Sequence, residues 1–154
     1  PGPSGGLYSH IMRLSILLWL MALVASACIT AQARREPEPE EINPSEASAS
    51  AVQVVASDYH YDISTQRVKA GTIDFVVHNA WGEQHEFMIV RRDGDRYGMP
   101  LGEIEPFDAG QTHALRAELA PGTYAFVCLI ISVIDGEPKS HMSRGMKTDF
   151  EVTP

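Results

Sequence analysis

Three residues near the end of the chain, Cys128, His141 and Met146, and a fourth further back, His85, offer a thiolate, two imidazoles and a thioether. Borderline nitrogens and soft sulfurs together accept both Cu(I) and Cu(II), and a weak axial thioether keeps the cupric ion from relaxing to a square-planar arrangement. A site built from these donors gains and loses one electron with little nuclear movement. Each residue alone has an ordinary explanation. A histidine before an aromatic is commonly structural, a lone cysteine is commonly core, and methionine commonly fills gaps. The four in this order, with His141 and Met146 in an H-x-x-x-x-M spacing, say more than any one of them.

Such scattered side chains meet only if the elements carrying them aim them the same way. Turn signals recur at roughly the 8–12-residue spacing of an all-β domain. Apolar residues alternate between them. Residues 72–78 place Ile73, Phe75 and Val77 on one face, and residues 85–91 place His85, Phe87 and Ile89 together. Residues 123–129 do the same for Tyr124, Phe126 and Cys128, and residues 146–152 for Met146, Thr148, Phe150 and Val152. Shorter runs fall at 51–56, 61–64, 67–70 and 111–119, with a less regular crossing at 97–107 that contains Gly and Pro. The pattern predicts an all-β Greek-key sandwich of seven to eight strands. It also puts His85, Cys128 and Met146 on core-facing sides, free to converge at one end between two sheets.

The stretch Val68-Lys69-Ala70-Gly71, then Phe75-Val76-Val77-His78-Asn79 and His85-Glu86-Phe87, resembles the first half of a cupredoxin. Pro121-Gly122-Thr123-Tyr124-Ala125-Phe126-Val127-Cys128, followed by His141-Met142-Ser143-Arg144-Gly145-Met146, resembles its second half. The resemblance spans residues 52–154 and implies a plastocyanin- or azurin-like blue copper protein. It implies one type 1 copper ion held by His85, Cys128, His141 and Met146. It further implies a carrier of single electrons between redox protein donors and acceptors, not an enzyme. The alternative is a protein that binds or delivers copper with the same ligands. A multicopper oxidase would need further paired histidines, and the chain has no His-x-His pair.

Two features depart from that family. Twelve residues, 129–140, separate Cys128 from His141, where small cupredoxins have two to four. The cost of closing a loop rises only logarithmically with its length, so coordination is not forbidden. The segment is expected to extend from Leu129 to Ile134, turn at Asp135-Gly136 and return to His141. Its apolar residues Ile130, Ile131, Val133 and Ile134 either extend the core or form a docking patch. The second departure is Leu129, at a position where a polar residue often braces the site. Of the other histidines, His60, His78 and His113 lack a partner at ligand spacing. Asn79 either ends a strand or braces the site by a hydrogen bond across it.

The rest of the chain reads as address and tether. Residues 1–11 carry no pattern and read as an upstream extension or a remnant. Residues 12–33 have the positive start, apolar run and small residues of an export signal. Ala25-Ser26-Ala27-Cys28 fits lipidation at Cys28, Ala31-Gln32-Ala33 fits ordinary cleavage, and the uncharged run also fits an uncleaved anchor. All three put the domain outside the cytoplasm, with membrane association through Cys28 or the anchor. Residues 34–51, rich in Pro, Glu, Ser and Ala, are expected to be a disordered linker. The domain is expected to be a monomer. With 20 acidic against 12 basic residues and a net charge of −8, the chain lacks the basic face that nucleic acid requires. It suits a basic protein surface better.

Overall fold

The structure, a computed structural model, describes residues 37–154. The expected export signal, Cys28 and residues 1–11 lie outside the described residues. No helix among the described residues is long and apolar enough to cross a membrane.

Twelve strands run through the described residues: β1 (Glu40–Ile42), β2 (Val52–Ser57), β3 (His60–Ile63), β4 (Arg67–Lys69), β5 (Gly71–Asn79) and β6 (His85–Asp93), then β7 (Arg96–Phe107), β8 (Thr112–Leu119), β9 (Gly122–Val127), β10 (Ile131–Ile134), β11 (Glu137–Ser140) and β12 (Lys147–Thr153). One sheet has the order β1-β8-β5-β2-β3 and the other β4-β12-β9-β6-β7, with β10 and β11 forming a separate hairpin. The pairs β2–β5 and β4–β12 are parallel and the remaining pairs antiparallel. This is the expected all-β sandwich, with more strands than the turn spacing suggested.

The alternation read from sequence becomes the core. From the first sheet, Val52, Val54, Phe75, Val77 and Leu115 face Phe87, Ile89, Tyr124, Phe126 and Phe150 of the second. Phe75 is the link between them, its ring lying 5.8 Å from Phe87, 5.3 Å from Phe126 and 5.7 Å from Phe150. Such tilted and edge-on pairs add about 0.5–1.5 kcal/mol each beyond area burial.

Two expectations need correction. The crossing at 97–107 is part of the twelve-residue strand β7, paired with β6 through three irregularities in register. Its Pro100 and Pro106 are tolerated because β7 is an edge strand, where an N–H need not pair inward. More consequentially, residues 37–51 are not a disordered linker: β1 pairs with β8, Glu41 opposite Leu115. Composition misled here because this arm is held by polar contacts rather than by buried apolar surface. His113 Nδ1 lies 2.5 Å from Glu41 Oε1. The Asn43 side chain accepts from the Ser45 N–H at 3.0 Å at the start of a short 3-10 turn (Pro44–Glu46). Asp74, buried on the outer side of β5, accepts from the Ser48 N–H at 2.7 Å and from Arg116 at 2.7 and 3.0 Å. The arm crosses β7 so closely that a Cβ on Gly102 would stand 2.7 Å from that of Pro39.

Hydrogen bonds from Arg116 and Ser48 hold the Asp74 carboxyl below the usual carboxylate range. Asp74→Ala should release the arm while leaving the aromatic core in place. Amide exchange at Ile42 and Ser48 should accelerate by roughly tenfold or more, the weight of one hydrogen bond to a charged group at about 1.5–3 kcal/mol. Unchanged exchange there would show that the arm is held by something else.

Candidate metal centre

Three of the four expected donors converge. Cys128 Sγ and one ring nitrogen each of His85 and His141 all lie within 4.8 Å of one another, and all three residues are fully buried. The two Nδ1 atoms stand 3.2 Å apart, and Cys128 Sγ is 3.4 Å from His141 Nδ1. His85 reaches this point as the first residue of β6, where the loop from Ala80 to Gln84 enters the sheet. Asn79 secures that loop: its amide donates to the Glu83 carbonyl at 2.8 Å and the Phe107 carbonyl at 3.2 Å, and its side-chain oxygen accepts from the Trp81 N–H at 3.0 Å. Asn79 thus makes no hydrogen bond to a donor residue; it braces the loop that leads to His85.

Cys128, His141 and Met146 are tied together by backbone. The Cys128 N–H donates to the Met146 carbonyl at 3.2 Å, and its carbonyl accepts from the Met142 N–H at 2.9 Å. The Met146 N–H donates to the His141 carbonyl at 3.0 Å, and the His141 N–H to the Ile130 carbonyl at 2.9 Å. Gly145, at φ 115°, makes the left-handed turn that lets Met146 fold back into the core. Met146 is fully buried in the same core cluster as Cys128, and a backbone hydrogen bond joins the two residues.

The long loop is the β10–β11 hairpin, turning at Asp135 and Gly136, both with positive φ. It folds Ser132 over the outer edge of His141, Oγ to Nε2 at 2.8 Å. The hydroxyl can pair with either tautomer of the ring, and in the one that carries its proton on Nε2 the Nδ1 lone pair faces His85 and Cys128. The two expectations for the apolar loop residues divide by position. Ile130 packs on the core, whereas Ile131 is 68% and Val133 75% exposed.

Several groups at the site carried no signal in the sequence. Glu86 accepts from the Leu129 N–H at 2.5 Å, supplying the brace that Leu129 itself cannot. The Tyr61 hydroxyl donates to the Glu86 carbonyl and bears on the Cys128 thiol. Tyr59 stands edge-on to His141 at 4.9 Å between ring centres and to His85 at 6.4 Å. Glu83 places Oε2 3.8 Å from His141 Nε2. Only the position of Glu86 directly after His85 marked any of them, and that signal is weak.

Burial sets the electrostatics. It pushes the Cys128 thiol up, against hydrogen bonds from the backbone of Glu86 and Ile130. Burial, reinforced by the neighbouring His141, pushes His85 down to about 4, and burial lowers His141 as well. Both imidazoles are thus neutral at ordinary pH, with lone pairs free for a cation. His85 Nε2 is buried without a hydrogen-bond partner. Metal-bound histidines usually donate that second nitrogen's proton, so packing rather than a hydrogen bond orients this ring.

These residues fit a metal ion. Bonds of about 2.0–2.1 Å to nitrogen and 2.3 Å to sulfur, the values for zinc, require donor atoms roughly 3.3–3.6 Å apart in a tetrahedral arrangement. The His85–His141 and Cys128–His141 separations of 3.2 and 3.4 Å are close to that spacing, and Cys128 and His85 lie within 4.8 Å of one another. A thiolate and two neutral imidazoles are donor classes that suit copper.

The sandwich and the triad at its end define a cupredoxin-like fold. Reduced auracyanin from the photosynthetic bacterium Roseiflexus castenholzii matches 70% of this chain and 99% of its own length, at 20% identity and a TM-score of 0.53. Amicyanin from Paracoccus versutus matches 76% of this chain and 99% of its own, at 16% identity and a TM-score of 0.44. A multi-copper oxidase from Pediococcus acidilactici matches 75% of this chain and 29% of its own, at 14% identity and a TM-score of 0.45. At these identities the likeness is one of fold, and the auracyanin match carries it. No protein-family model and no curated protein matches the chain.

The lowered His85 pKa has a definite sign. Unfolding releases that ring to take up a proton near pH 6.5, so between about 4 and 6.5 the unfolded state binds more protons. The metal-free protein should hold its full stability from this group above pH 6.5 and lose it progressively as pH falls toward 4. Urea unfolding at several pH values, compared with His85→Asn, measures it; equal pH slopes in the two proteins would contradict the assignment.

Proposed function

We propose that the chain is an exported type 1 copper protein that carries single electrons between redox proteins. The observation that carries this reading is the meeting of Cys128 Sγ with the two histidine Nδ1 atoms in a fully buried pocket. His85, Cys128 and His141 would hold the ion, with the Met146 thioether as a fourth, weaker donor. Copper, when bound, supplies the chemistry of taking up and releasing one electron.

The protein's own residues account for the rest. Ser132 pairs with the outer nitrogen of His141 and leaves Nδ1 facing the other donors. Glu86 and the Asn79 amide hold the two loops that carry His85 and the residues after Cys128. Deep burial excludes water and keeps the donors in one arrangement, as rapid electron exchange requires. The same burial disfavours a role in copper delivery, where a metal must enter and leave readily. Leu129, Ile131 and Val133 offer an apolar strip beside the site for a protein partner, and the acidic chain suits a basic one. Export, by lipidation at Cys28, by cleavage or by an anchor, rests on residues 12–33.

Adding Cu(II) to the full chain should produce an intense visible thiolate-to-copper band that bleaches with reductant and returns with oxidant. Cys128→Ser should abolish the band, because its sulfur is the source. Met146→Leu should keep the copper and raise the reduction potential, since the thioether stabilises the oxidised ion; a lowered potential would show that Met146 is not axial. A colourless protein that binds Cu(I) tightly would support copper handling, and failure to bind copper would reject both readings.

A further inference from the structure

All of the expected donor residues are fully buried, including His141, whose outer nitrogen is covered by Ser132. An electron must therefore cross at least one further residue to reach a partner. Ser132 and Tyr59 lie against His141, with the Glu83 carboxylate 3.8 Å from its Nε2. Ser132 offers a hydroxyl on a half-buried loop, joined to the ring through one nitrogen. Tyr59 offers an aromatic ring that lies against both imidazoles, 4.9 Å from His141 and 6.4 Å from His85, and is itself half-buried.

The ring is held firmly. Arg144 lies over its face at 4.1 Å, and its hydroxyl donates to Glu83 Oε2 at 3.2 Å. Both anchoring residues are exposed. The backbone beneath it is unusual. Asp58 and Tyr59 form the two-residue turn between Ser57 of β2 and His60 of β3, and Tyr59 has φ 53°. That left-handed conformation suits Gly or Asn, and a bulky aromatic there is an outlier. Strain of this kind persists where the surroundings over-determine it, and it gathers at functional sites. A turn selected only for folding would place Gly or Asn at this position.

We propose that Tyr59 is the contact through which electrons enter and leave the site, so that a partner's redox group docks against this ring rather than against a ligand edge. The inference rests on the reading of the buried triad as a copper electron-transfer centre. In the outward direction the reduced centre loses one electron and is oxidised from Cu(I) to Cu(II). A one-electron acceptor at the protein surface gains it. No bond is made or broken, no proton moves, and Tyr59 serves as a bridge that is itself neither oxidised nor deprotonated. Tunnelling falls steeply with distance, so an aromatic ring spanning the gap between the imidazoles and the surface sets the rate.

The test uses the copper-loaded full chain and hexacyanoferrate(III) as the acceptor, followed by stopped-flow bleaching of the acceptor's colour. Tyr59→Asn suits the left-handed turn and preserves the fold while removing the ring. It should keep the visible band and the reduction potential but lose rate several-fold, and Tyr59→Phe should restore the rate. A Tyr59→Asn rate equal to that of the unaltered chain would overturn the proposal. So would a loss fully accounted for by a shifted potential, which would make Tyr59 a positioning residue only. Absence of the thiolate-to-copper band in the unaltered chain would instead strike the copper reading itself, and the proposal with it.

Discussion

The site depends on how the chain closes around Cys128. The backbone of this one residue bonds forward to Met142 and Met146, while His141 bonds back to Ile130. Those hydrogen bonds place His141 and Met146 beside the thiol whatever the length of the intervening loop. The hairpin of β10 and β11 can therefore be long without loosening the site. Its length serves to put Ser132 on His141 and an apolar strip on the surface. The fourth donor, His85, comes from the other side of the same closure, set at the start of β6 by the loop that Asn79 ties down.

Burial does the rest of the tuning. Taking two imidazoles out of water lowers the affinity of both for protons, and a cation competes for lone pairs that protons leave free. The same burial raises the thiol, so formation of the thiolate depends on the metal and on the hydrogen bonds from the backbone of Glu86 and Ile130. The imidazoles are thus poised for a metal ion more than for a proton, whereas the thiol must give up its proton to bind one. Sealing it from water also seals it from a partner, which gives the half-buried Tyr59 its significance.

Much of this was legible in the residues. Period-two alternation identified the core faces of β5, β6, β9 and β12, because one side of each strand packs against the aromatic cluster around Phe75. The meeting of His85, Cys128 and His141 was legible because few other roles combine a lone cysteine and two histidines on such positions. Asp135-Gly136 announced the hairpin through its demand for positive φ. The arm at residues 37–51 was not legible, since its order comes from ion pairs and edge hydrogen bonds to His113, Asp74 and Arg116, far along the chain. Tyr59, Glu86 and Ser132 were missed for the same reason: each acts on a residue brought near only by folding, and none has a spacing that advertises it.

X-ray absorption at the copper edge of the loaded chain tests the central claim most directly, because it counts the donors by element. The account predicts two nitrogen scatterers and one short sulfur scatterer in the oxidised protein, nearly unchanged on reduction. A first shell of nitrogen and oxygen alone, with no sulfur at bonding distance, would contradict it.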